Sequence, residues 1–279
     1  MEFLSSVFLG FIQGVAEFLP ISSSGHLVIF QELFGMKLEG AESAFFDVLL
    51  HLGTLAAVFV AYWKDIKAIV LEFFTMVHIR KLPAGQKPDR LSRRMIAFII
   101  LGTLPLFLVL PIKGKLDELF EKPLLVGFML LLTGVLLFLS DRLNRRKKDL
   151  RNATILDILL VGCSQAIAVT PGLSRSGTTI SVGMFRGFDR EFAVKFSFLL
   201  SIPAVLGANL LELIDVVSEG IAAHLPLLPM YLAGMVSAAV FGYLSIVLLK
   251  FVTKKGSFGA FCYYCWGAGL VTIILSLIK

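Results

Sequence analysis

The chain contains one short motif twice, and both copies lie inside apolar sequence. Residues 10–29 read GFIQGVAEFLPISSSGHLVI, and residues 162–181 read GCSQAIAVTPGLSRSGTTIS. Without a gap, the identical positions are Gly10/Gly162, Gln13/Gln165, Ala16/Ala168, Ser22/Ser174, Ser24/Ser176 and Gly25/Gly177. Each copy is a short apolar run, a proline-marked break, a hydroxyl-rich turn and a second short run. A duplicated broken helix that carries ionisable residues at membrane depth predicts a buried polar site in a membrane protein.

Composition indicates an integral membrane protein. Hydrophobic residues make up 57% of the chain and charged residues 16%, whereas about a quarter of a soluble domain is charged. Six runs approach the ~20 residues that cross ~30 Å of hydrocarbon: 44–63, 94–112, 124–140, 192–214, 227–249 and 258–278. No polar stretch is long enough for a soluble domain, so we expect one integral membrane domain, 1–279. The N-terminus lacks the basic region and cleavage site of a removable signal peptide.

Four further apolar runs are too short to span comfortably: 3–19, 25–34, 155–170 and 178–185. They occur in pairs, and each pair is joined by one of the duplicated breaks. We therefore expect two helical hairpins that enter the membrane part-way and return on the same side. Non-helical backbone at that depth is tolerated only where protein or a water-filled cavity covers it. Segment 64–78 predicts an interfacial amphipathic helix, or alternatively an inner extension of the first span.

Loop charges orient these segments. Basic residues are concentrated in 80–94, 142–151 and 250–255, and placing all three inside the cell lets the six spans alternate without contradiction. Both termini then lie outside. Because these loops account for the net charge of +6, we expect no nucleic-acid partner.

Each half, about 1–140 and 153–279, then contains one hairpin and three spans. Three is odd, so the second half is inserted upside down relative to the first, and the two hairpin tips can meet near the midplane. The predicted fold is thus an all-α polytopic membrane protein with an inverted-topology repeat, an arrangement known in secondary transporters.

The first break carries several polar groups. Gln13 and Glu17 are four residues apart and share a helical face. Pro20 ends that helix, because the residue before a proline is pushed out of the helical region. The residues expected to cap and open the next helix are Ser22, Ser23, Ser24, Gly25 and His26. Ser23 and His26 are three apart and can share a face.

Both turns predict phosphate binding, because helix N-termini present free N–H groups and a partial positive charge. The candidate phosphate ligands are Ser22, Ser24, Gly25, Ser174, Arg175, Ser176, Gly177 and Thr178. Arg175 adds a planar fork suited to phosphate oxygens. Glu17 would be compensated by Arg175, by His26 or by a divalent cation, and one carboxylate plus substrate phosphates is how Mg²⁺ is usually held. The set predicts phosphoryl transfer, in which a histidine moves a proton and a serine or water attacks.

Structural roles compete with these interpretations. Ser22 and Ser24 suit helix capping at least as well, and we expect Gln13 and Gln165 to hydrogen-bond the opposite hairpin. Asp47 and His51 are four apart in the first span, either as a second metal or proton site or as an internally satisfied pair. The remaining polar candidates are interpreted as structural: the CxxC cysteines Cys262 and Cys265, and the early-turn acid Asp157.

At these residues the chain resembles the undecaprenyl-diphosphate phosphatase family, also called bacitracin resistance proteins. The family motif (E/Q)xxxE matches residues 13–17, FLPxSSxGH matches 18–26 and PGxSRSGxTI matches 171–180. The resemblance implies hydrolysis of undecaprenyl diphosphate to undecaprenyl phosphate and phosphate, which recycles the lipid carrier of cell-wall synthesis. It also implies competition with bacitracin for this lipid, a divalent cation (Mg²⁺ or Ca²⁺), and a site open to the outer face of the bacterial inner membrane.

Carried over to matching positions, Glu17 and Gln13 form the acidic motif and the possible metal site. Ser23 is the candidate nucleophile, although water remains an alternative, and His26 is its proton partner. The implied phosphate ligands are Ser174, Arg175 and Thr178. Some family members carry glutamate at the position of Gln13, so a two-carboxylate metal scheme does not transfer to this chain.

Other function classes make different demands on the sequence. Acid-phosphatase-like lipid phosphatases also use SGH and SR elements, but they need a histidine a few residues after SR, and the ten residues that follow Arg175 contain none. A transporter or flippase of an anionic polyprenyl lipid fits the predicted repeat, but transport does not require a nucleophile and an acid–base pair on one turn. A catalytically silent resistance or assembly factor would not require the intact polar set.

Overall fold

A computed structural model describes residues 3–33, 41–79, 87–120, 122–143, 147–219 and 226–278. These residues form twelve α-helices and two short 3-10 helices, with no β-strand among them. The α-helices are α1 (Phe3–Phe18), α2 (Ser23–Leu33), α3 (Ala41–Ala61), α4 (Trp63–Met76), α5 (Arg90–Thr103), α6 (Lys113–Asp117), α7 (Pro123–Leu143), α8 (Ile155–Ile167), α9 (Arg175–Phe185), α10 (Arg190–Glu219), α11 (Leu228–Lys255) and α12 (Gly259–Ile278).

Six helical segments in the described ranges are long and apolar enough to cross a membrane: Ala44–Ala61, Arg90–Leu116, Pro123–Leu143, Arg190–Ser218, Leu228–Lys254 and Gly259–Ile278. They coincide with the six predicted spans, and α1, α2, α8 and α9 occupy the four shorter runs. The predicted all-α, multi-pass membrane protein is therefore confirmed. The inverted insertion of the two halves, their boundaries and the side that each loop faces stay predictions.

The second span is less regular than the apolar run 94–112 suggests. Helix α5 ends at Thr103, and the chain continues through the 3-10 helices Leu104–Leu108 and Leu110–Ile112 before α6. Pro105 and Pro111 stand in the first turns of these 3-10 helices, where a missing N–H leaves no hydrogen bond unmade. The prolines thus divide the run without removing its apolar character.

The predicted amphipathic helix is α4, which follows α3 after a break at Tyr62. Glu72 on its buried side accepts a 2.6 Å hydrogen bond from Arg93 of α5, whereas Trp63 and Phe73 are exposed. This segment is therefore a helix that one residue separates from α3, and whether it lies at the membrane interface or extends the first span stays a prediction.

Each hairpin packs against a neighbouring helix through a glycine of its first helix. In the first, a Cβ on Gly10 of α1 would lie 2.2 Å from the carbonyl oxygen of Gly234 in α11. In the second, a Cβ on Gly162 of α8 would lie 2.4 Å from the carbonyl oxygen of Gly102 in α5. Gly10 and Gly162 are equivalent in the repeated motif, and small residues at both positions allow the backbones to approach closely.

A buried acid closes the base of the second hairpin. Asp157, in the first turn of α8, accepts hydrogen bonds from Lys148 and Arg186, each at 2.8 Å. It also completes a capping box with Thr154. Because Arg186 follows the last residue of α9, Asp157 joins the start of one hairpin helix to the end of the other. Burial alone would raise the pKa of Asp157, but these hydrogen bonds lower it to about 2.

Candidate active site

The tips of the two hairpins, where α1 leads into α2 and α8 leads into α9, contact each other. The backbone N–H of Gly172 in the second tip donates to Ser24 Oγ in the first, at 3.4 Å. In the other direction, Ser176 Oγ donates to the carbonyl oxygen of Leu19, also at 3.4 Å. Gly25 permits the approach, since a Cβ there would lie only 3.2 Å from the Gly172 Cα. The two copies of the motif therefore meet and form one polar centre.

Equivalent serines cap the two returning helices. Ser22 Oγ accepts from the Gly25 N–H at 3.2 Å, and Ser174 Oγ accepts from the Gly177 N–H at 3.1 Å. Ser22 and Ser174 are thus N-caps. For Ser22, this agrees with the capping role that was offered as the alternative to phosphate binding. The hydroxyl of Ser24, for which capping was also expected, instead contacts the opposite tip.

The carboxylate of Glu17 joins the two tips. Its Oε1 accepts from Arg175 Nη2 at 2.5 Å, and its Oε2 accepts from Ser23 Oγ at 2.7 Å and from Gln13 Nε2 at 3.2 Å. Glu17 is only 8% exposed, and the guanidinium offsets much of the cost of burying its charge. Ser23 and Arg175 occupy equivalent positions in the motif, as the first residues of α2 and α9. The carboxylate therefore lies between the starts of the two returning helices.

Polar atoms around this carboxylate are buried without partners. Arg175 Nη1, Thr178 Oγ1 and Gln13 Oε1 make no hydrogen bond within the described residues. Leaving such groups unpaired costs about 1–3 kcal/mol each, so an unexplained set calls for a ligand. Arg175 and Thr178 are three apart, on one face of α9. The arrangement offers hydrogen-bond donors to an anion beside Glu17.

The expectation that Gln13 and Gln165 bond across the hairpins is wrong. Gln13 donates to Glu17 of its own helix, because residues four apart on a helix are neighbours. Both side-chain polar atoms of Gln165 are buried without a hydrogen bond to any described residue.

The expected pairing of His26 with Ser23 is not found, because His26 makes its side-chain hydrogen bonds to other residues. Its Nδ1 lies 2.7 Å from the carbonyl oxygen of Ser22, and its Nε2 lies 2.6 Å from the hydroxyl of Tyr264 in α12. Ser22 has a left-handed backbone, φ 73°, and its carbonyl oxygen also accepts the His26 N–H at 3.2 Å. The imidazole is thus bound to the backbone of the turn that precedes it, and Ser23 donates its hydroxyl hydrogen to Glu17 instead.

Sequence reasoning missed two polar residues that support the site. Tyr264 lies within an apolar span, where a phenol hydroxyl needs a hydrogen-bond partner. That need is the one sequence signal that could have identified Tyr264 as a candidate. Thr133 of α7 is buried and its Oγ1 accepts from the backbone N–H of Ser174 at 3.1 Å. The sequence does not show that α7 and α12 border the two tips.

Asp47 and His51 contact each other through the backbone, and their side chains also attract electrostatically. His51 Nδ1 donates to the backbone oxygen of Asp47 at 2.8 Å, and the imidazole lies close enough to the carboxylates of Glu17, Glu212 and Asp47 for electrostatic attraction. In the described ranges, no three His, Cys, Asp or Glu side chains are placed to hold a metal ion by themselves. A proton-transfer role for His51 stays a prediction.

The cysteines of the CxxC sequence are structural, as expected. Cys262 and Cys265 are both free and buried. Cys262 Sγ donates to the Gly259 oxygen of its own helix, and Cys265 Sγ donates to the Pro20 oxygen at 3.5 Å. The second contact holds α12 against the first tip.

Comparison with known proteins shows the family of this chain. A family model described as "Bacitracin resistance protein BacA" matches residues 6–271. The chain is 40% identical to the undecaprenyl-diphosphatase of Methanosphaera stadtmanae, over 100% of this chain and 99% of the relative. It is also 40% identical to that of Halothermothrix orenii, over 99% of each chain, and 38% identical to that of Alkaliphilus metalliredigens, over 100% of each. Because these matches extend along essentially the whole chain, the protein belongs to the BacA family of bacitracin resistance proteins.

Proposed function

We propose that this protein is an integral membrane phosphatase that hydrolyses undecaprenyl diphosphate to undecaprenyl phosphate and inorganic phosphate. The observation that carries the proposal is the Glu17 carboxylate, which binds Ser23 Oγ from one tip and Arg175 from the other. A potential nucleophile, a base and a phosphate-binding cation thus share one buried centre. The relatives are named undecaprenyl-diphosphatases, and this name supplies the substrate.

The diphosphate is bound by the donors that have no partner among the described residues. Arg175 Nη1 and Thr178 Oγ1 are both buried, and Arg175 is paired with Glu17. An arginine that contacts a carboxylate through one Nη keeps a second for a phosphate oxygen. The helix N-termini capped by Ser22 and Ser174 add positive potential. The same groups neutralise the charge that spreads over the phosphoryl oxygens during transfer.

Ser23 is the proposed nucleophile. Its hydroxyl already donates to Glu17 Oε2 at 2.7 Å, so the carboxylate accepts the proton as Oγ attacks the terminal phosphorus. The bond from that phosphorus to the bridging oxygen breaks, and undecaprenyl phosphate leaves. Water then attacks the phosphoserine, the bond from phosphorus to Ser23 Oγ breaks and phosphate is released, while His26 accepts the proton of that water and Glu17 returns its proton to Ser23 Oγ. Ser23 and Glu17 thereby return to their starting states, and His26 does so when it gives its proton to solvent.

A divalent cation fits this centre only if the substrate shares in binding it. Glu17 is the carboxylate of the site, and the neighbouring Gln13 Oε1 is a buried acceptor without a hydrogen-bond partner in the described part of the chain. These two oxygens would hold Mg²⁺ or Ca²⁺ together with phosphate oxygens, as is usual for Mg²⁺. A bound cation would supply further neutralisation of the diphosphate charge.

The remaining steps of the proposal concern cellular context. The enzyme lies in the bacterial inner membrane with its site open to the outer face, where the predicted orientation places the first hairpin. There it recycles the lipid carrier, and bacitracin competes for the same lipid diphosphate.

The test is phosphate release from undecaprenyl diphosphate by the purified protein in detergent with a divalent cation, set beside lipid translocation in vesicles. We expect phosphate release. The rival transporter is favoured instead if the wild-type protein moves lipid headgroups across vesicles and releases no phosphate. A silent resistance factor would retain bacitracin resistance in cells after Ser23, His26 and Arg175 are all replaced.

A further inference from the structure

The hydrogen bonds of His26 determine which of its nitrogens exchanges a proton. Nδ1 lies 2.7 Å from the carbonyl oxygen of Ser22, and a carbonyl oxygen can only accept. Nδ1 therefore carries a hydrogen in both the neutral and the charged imidazole. In the neutral ring, Nε2 is consequently the basic nitrogen.

The Tyr264 hydroxyl suits Nε2 in both of these states. The two atoms are 2.6 Å apart. When His26 is neutral, the hydroxyl donates to the lone pair of Nε2, and when His26 is charged, the hydroxyl oxygen accepts from the Nε2–H. A hydroxyl can exchange these roles by rotating its hydrogen, whereas a lysine ammonium can only donate and a carboxylate ion can only accept.

Two contacts attach Tyr264 and its helix to the first tip, while 47% of the Tyr264 surface stays exposed. The Tyr264 and His26 rings are nearly parallel, with an interplanar angle of 11° and centroids 5.5 Å apart. The next residue, Cys265, contacts the Pro20 oxygen at the first tip. One turn of α12 is thus attached both to the imidazole and to the turn that carries it.

We propose that the Tyr264 hydroxyl takes part in the proton transfer of the phosphatase: it fixes the His26 imidazole in one orientation and passes protons to and from Nε2. This inference rests on the proposed function, in which His26 accepts the proton of the attacking water. Because the hydroxyl occupies the lone pair of neutral Nε2, it gives its own hydrogen to Nε2 and takes up the hydrogen of that water in the same step.

The test compares Tyr264→Phe with Tyr263→Phe. The first change keeps the aromatic ring and removes only the hydroxyl, and the second removes the hydroxyl of an adjacent tyrosine that is 64% exposed. We expect kcat to fall roughly tenfold to hundredfold in Tyr264→Phe, the effect of losing one hydrogen bond to a group that becomes charged. KM should stay within about twofold, because Tyr264 does not bind substrate. Tyr263→Phe should match the wild type in both constants.

A measurement without turnover separates this inference from the proposed function. In protein labelled with ¹⁵N-histidine, with the His26 signals identified by their loss in His26→Gln, we expect neutral His26 to carry its proton on Nδ1. Tyr264→Phe should shift the Nε2 resonance and Tyr263→Phe should not. A wild-type protein without phosphatase activity would refute the proposed function and leave this spectral test intact. The inference would be overturned by any of three results: neutral His26 protonated on Nε2, an Nε2 signal that Tyr264→Phe does not shift, or full activity of Tyr264→Phe. If the variant does not fold, the wild-type spectrum alone decides between the two protonation sites.

Discussion

At the scale of single residues, the site is defined by what each polar atom contacts. Glu17 accepts from Gln13, Ser23 and Arg175, so its negative charge is offset on both oxygens. The sequence motifs identify these residues as candidates, because ionisable groups at membrane depth are costly unless they function. They do not reveal the pairing, since whether Ser23 faces Glu17 or His26 depends on the left-handed turn at Ser22.

Ser23 should carry the phosphoryl group during turnover. We expect Ser23→Ala to lower kcat at least roughly a hundredfold, because the carboxylate of Glu17 then has no hydroxyl to activate. Rapid quench with mass spectrometry should find phosphoserine at position 23 of the wild type. Ser257→Ala, at an exposed serine at the start of α12, is the matched control and should behave as the wild type. Rapid phosphate release by Ser23→Ala would instead identify water as the nucleophile.

Gln13 should set the cation requirement. Replacing it with alanine removes the unpartnered Oε1 beside Glu17, so the divalent-cation concentration for half-maximal activity should rise several-fold. Gln165→Ala is the matched control, because it removes the equivalent glutamine of the second copy, whose side chain makes no hydrogen bond to any described residue. Titration of EDTA-treated protein with Mg²⁺ or Ca²⁺ gives both curves. An unchanged curve for Gln13→Ala would exclude Gln13 as a ligand.

At the scale of helices, sequence pattern and structure agree where local chemistry determines the outcome. Prolines and capping serines locate the ends of α1, α2, α8 and α9, and the apolar runs locate the six spans. Contacts between distant helices could not be predicted in this way. That α12 brings Tyr264 to His26, or that α7 brings Thr133 to Ser174, depends on tertiary packing. The 3-10 helices after Thr103 were missed because hydropathy does not register how prolines divide an apolar run.

Asp157 should stabilise the second hairpin in a pH-dependent way. Its pKa is about 2 in the folded protein against an ordinary value of 3.8, which corresponds to about 2 kcal/mol of stability. This stability is fully present above about pH 4 and is lost as the pH falls through 2. We expect Asp157→Asn to lower the SDS unfolding midpoint at pH 7, with a smaller difference from the wild type near pH 2 to 3. A difference that is the same at both pH values would contradict this assignment.

Close helix contacts should make two equivalent glycines intolerant of side chains. In Gly10→Ala and Gly162→Ala, the new Cβ would meet a backbone oxygen at 2.2 Å and 2.4 Å respectively, so each should lower thermal stability in detergent by several degrees or prevent folding. Gly267→Ala is the control, because a Cβ there meets nothing within 4 Å. It should be neutral or slightly stabilising, since alanine suits a helix better than glycine. Equal stability of all three variants would refute the packing argument.

At the scale of the whole molecule, the function depends on two distant parts of the chain meeting inside a membrane protein. The tips are joined by the Ser24–Gly172 and Leu19–Ser176 contacts and by the Glu17–Arg175 ion pair. Neither tip alone holds both the nucleophile and the guanidinium. Activity should therefore depend on the ion pair between the tips and not on ion pairs elsewhere.

The most direct test of this claim is the initial rate of phosphate release from undecaprenyl diphosphate by matched variants in one detergent. Glu17→Gln and Arg175→Ala each break the ion pair between the tips, whereas Arg93→Ala breaks the 2.6 Å pair with Glu72, which joins α5 to α4 and includes no hairpin residue. We predict that the first two lose at least roughly a hundredfold in rate while remaining folded, and that Arg93→Ala keeps nearly the wild-type rate. If Glu17→Gln or Arg175→Ala released phosphate as fast as Arg93→Ala, the convergence of the two tips would not be the catalytic centre.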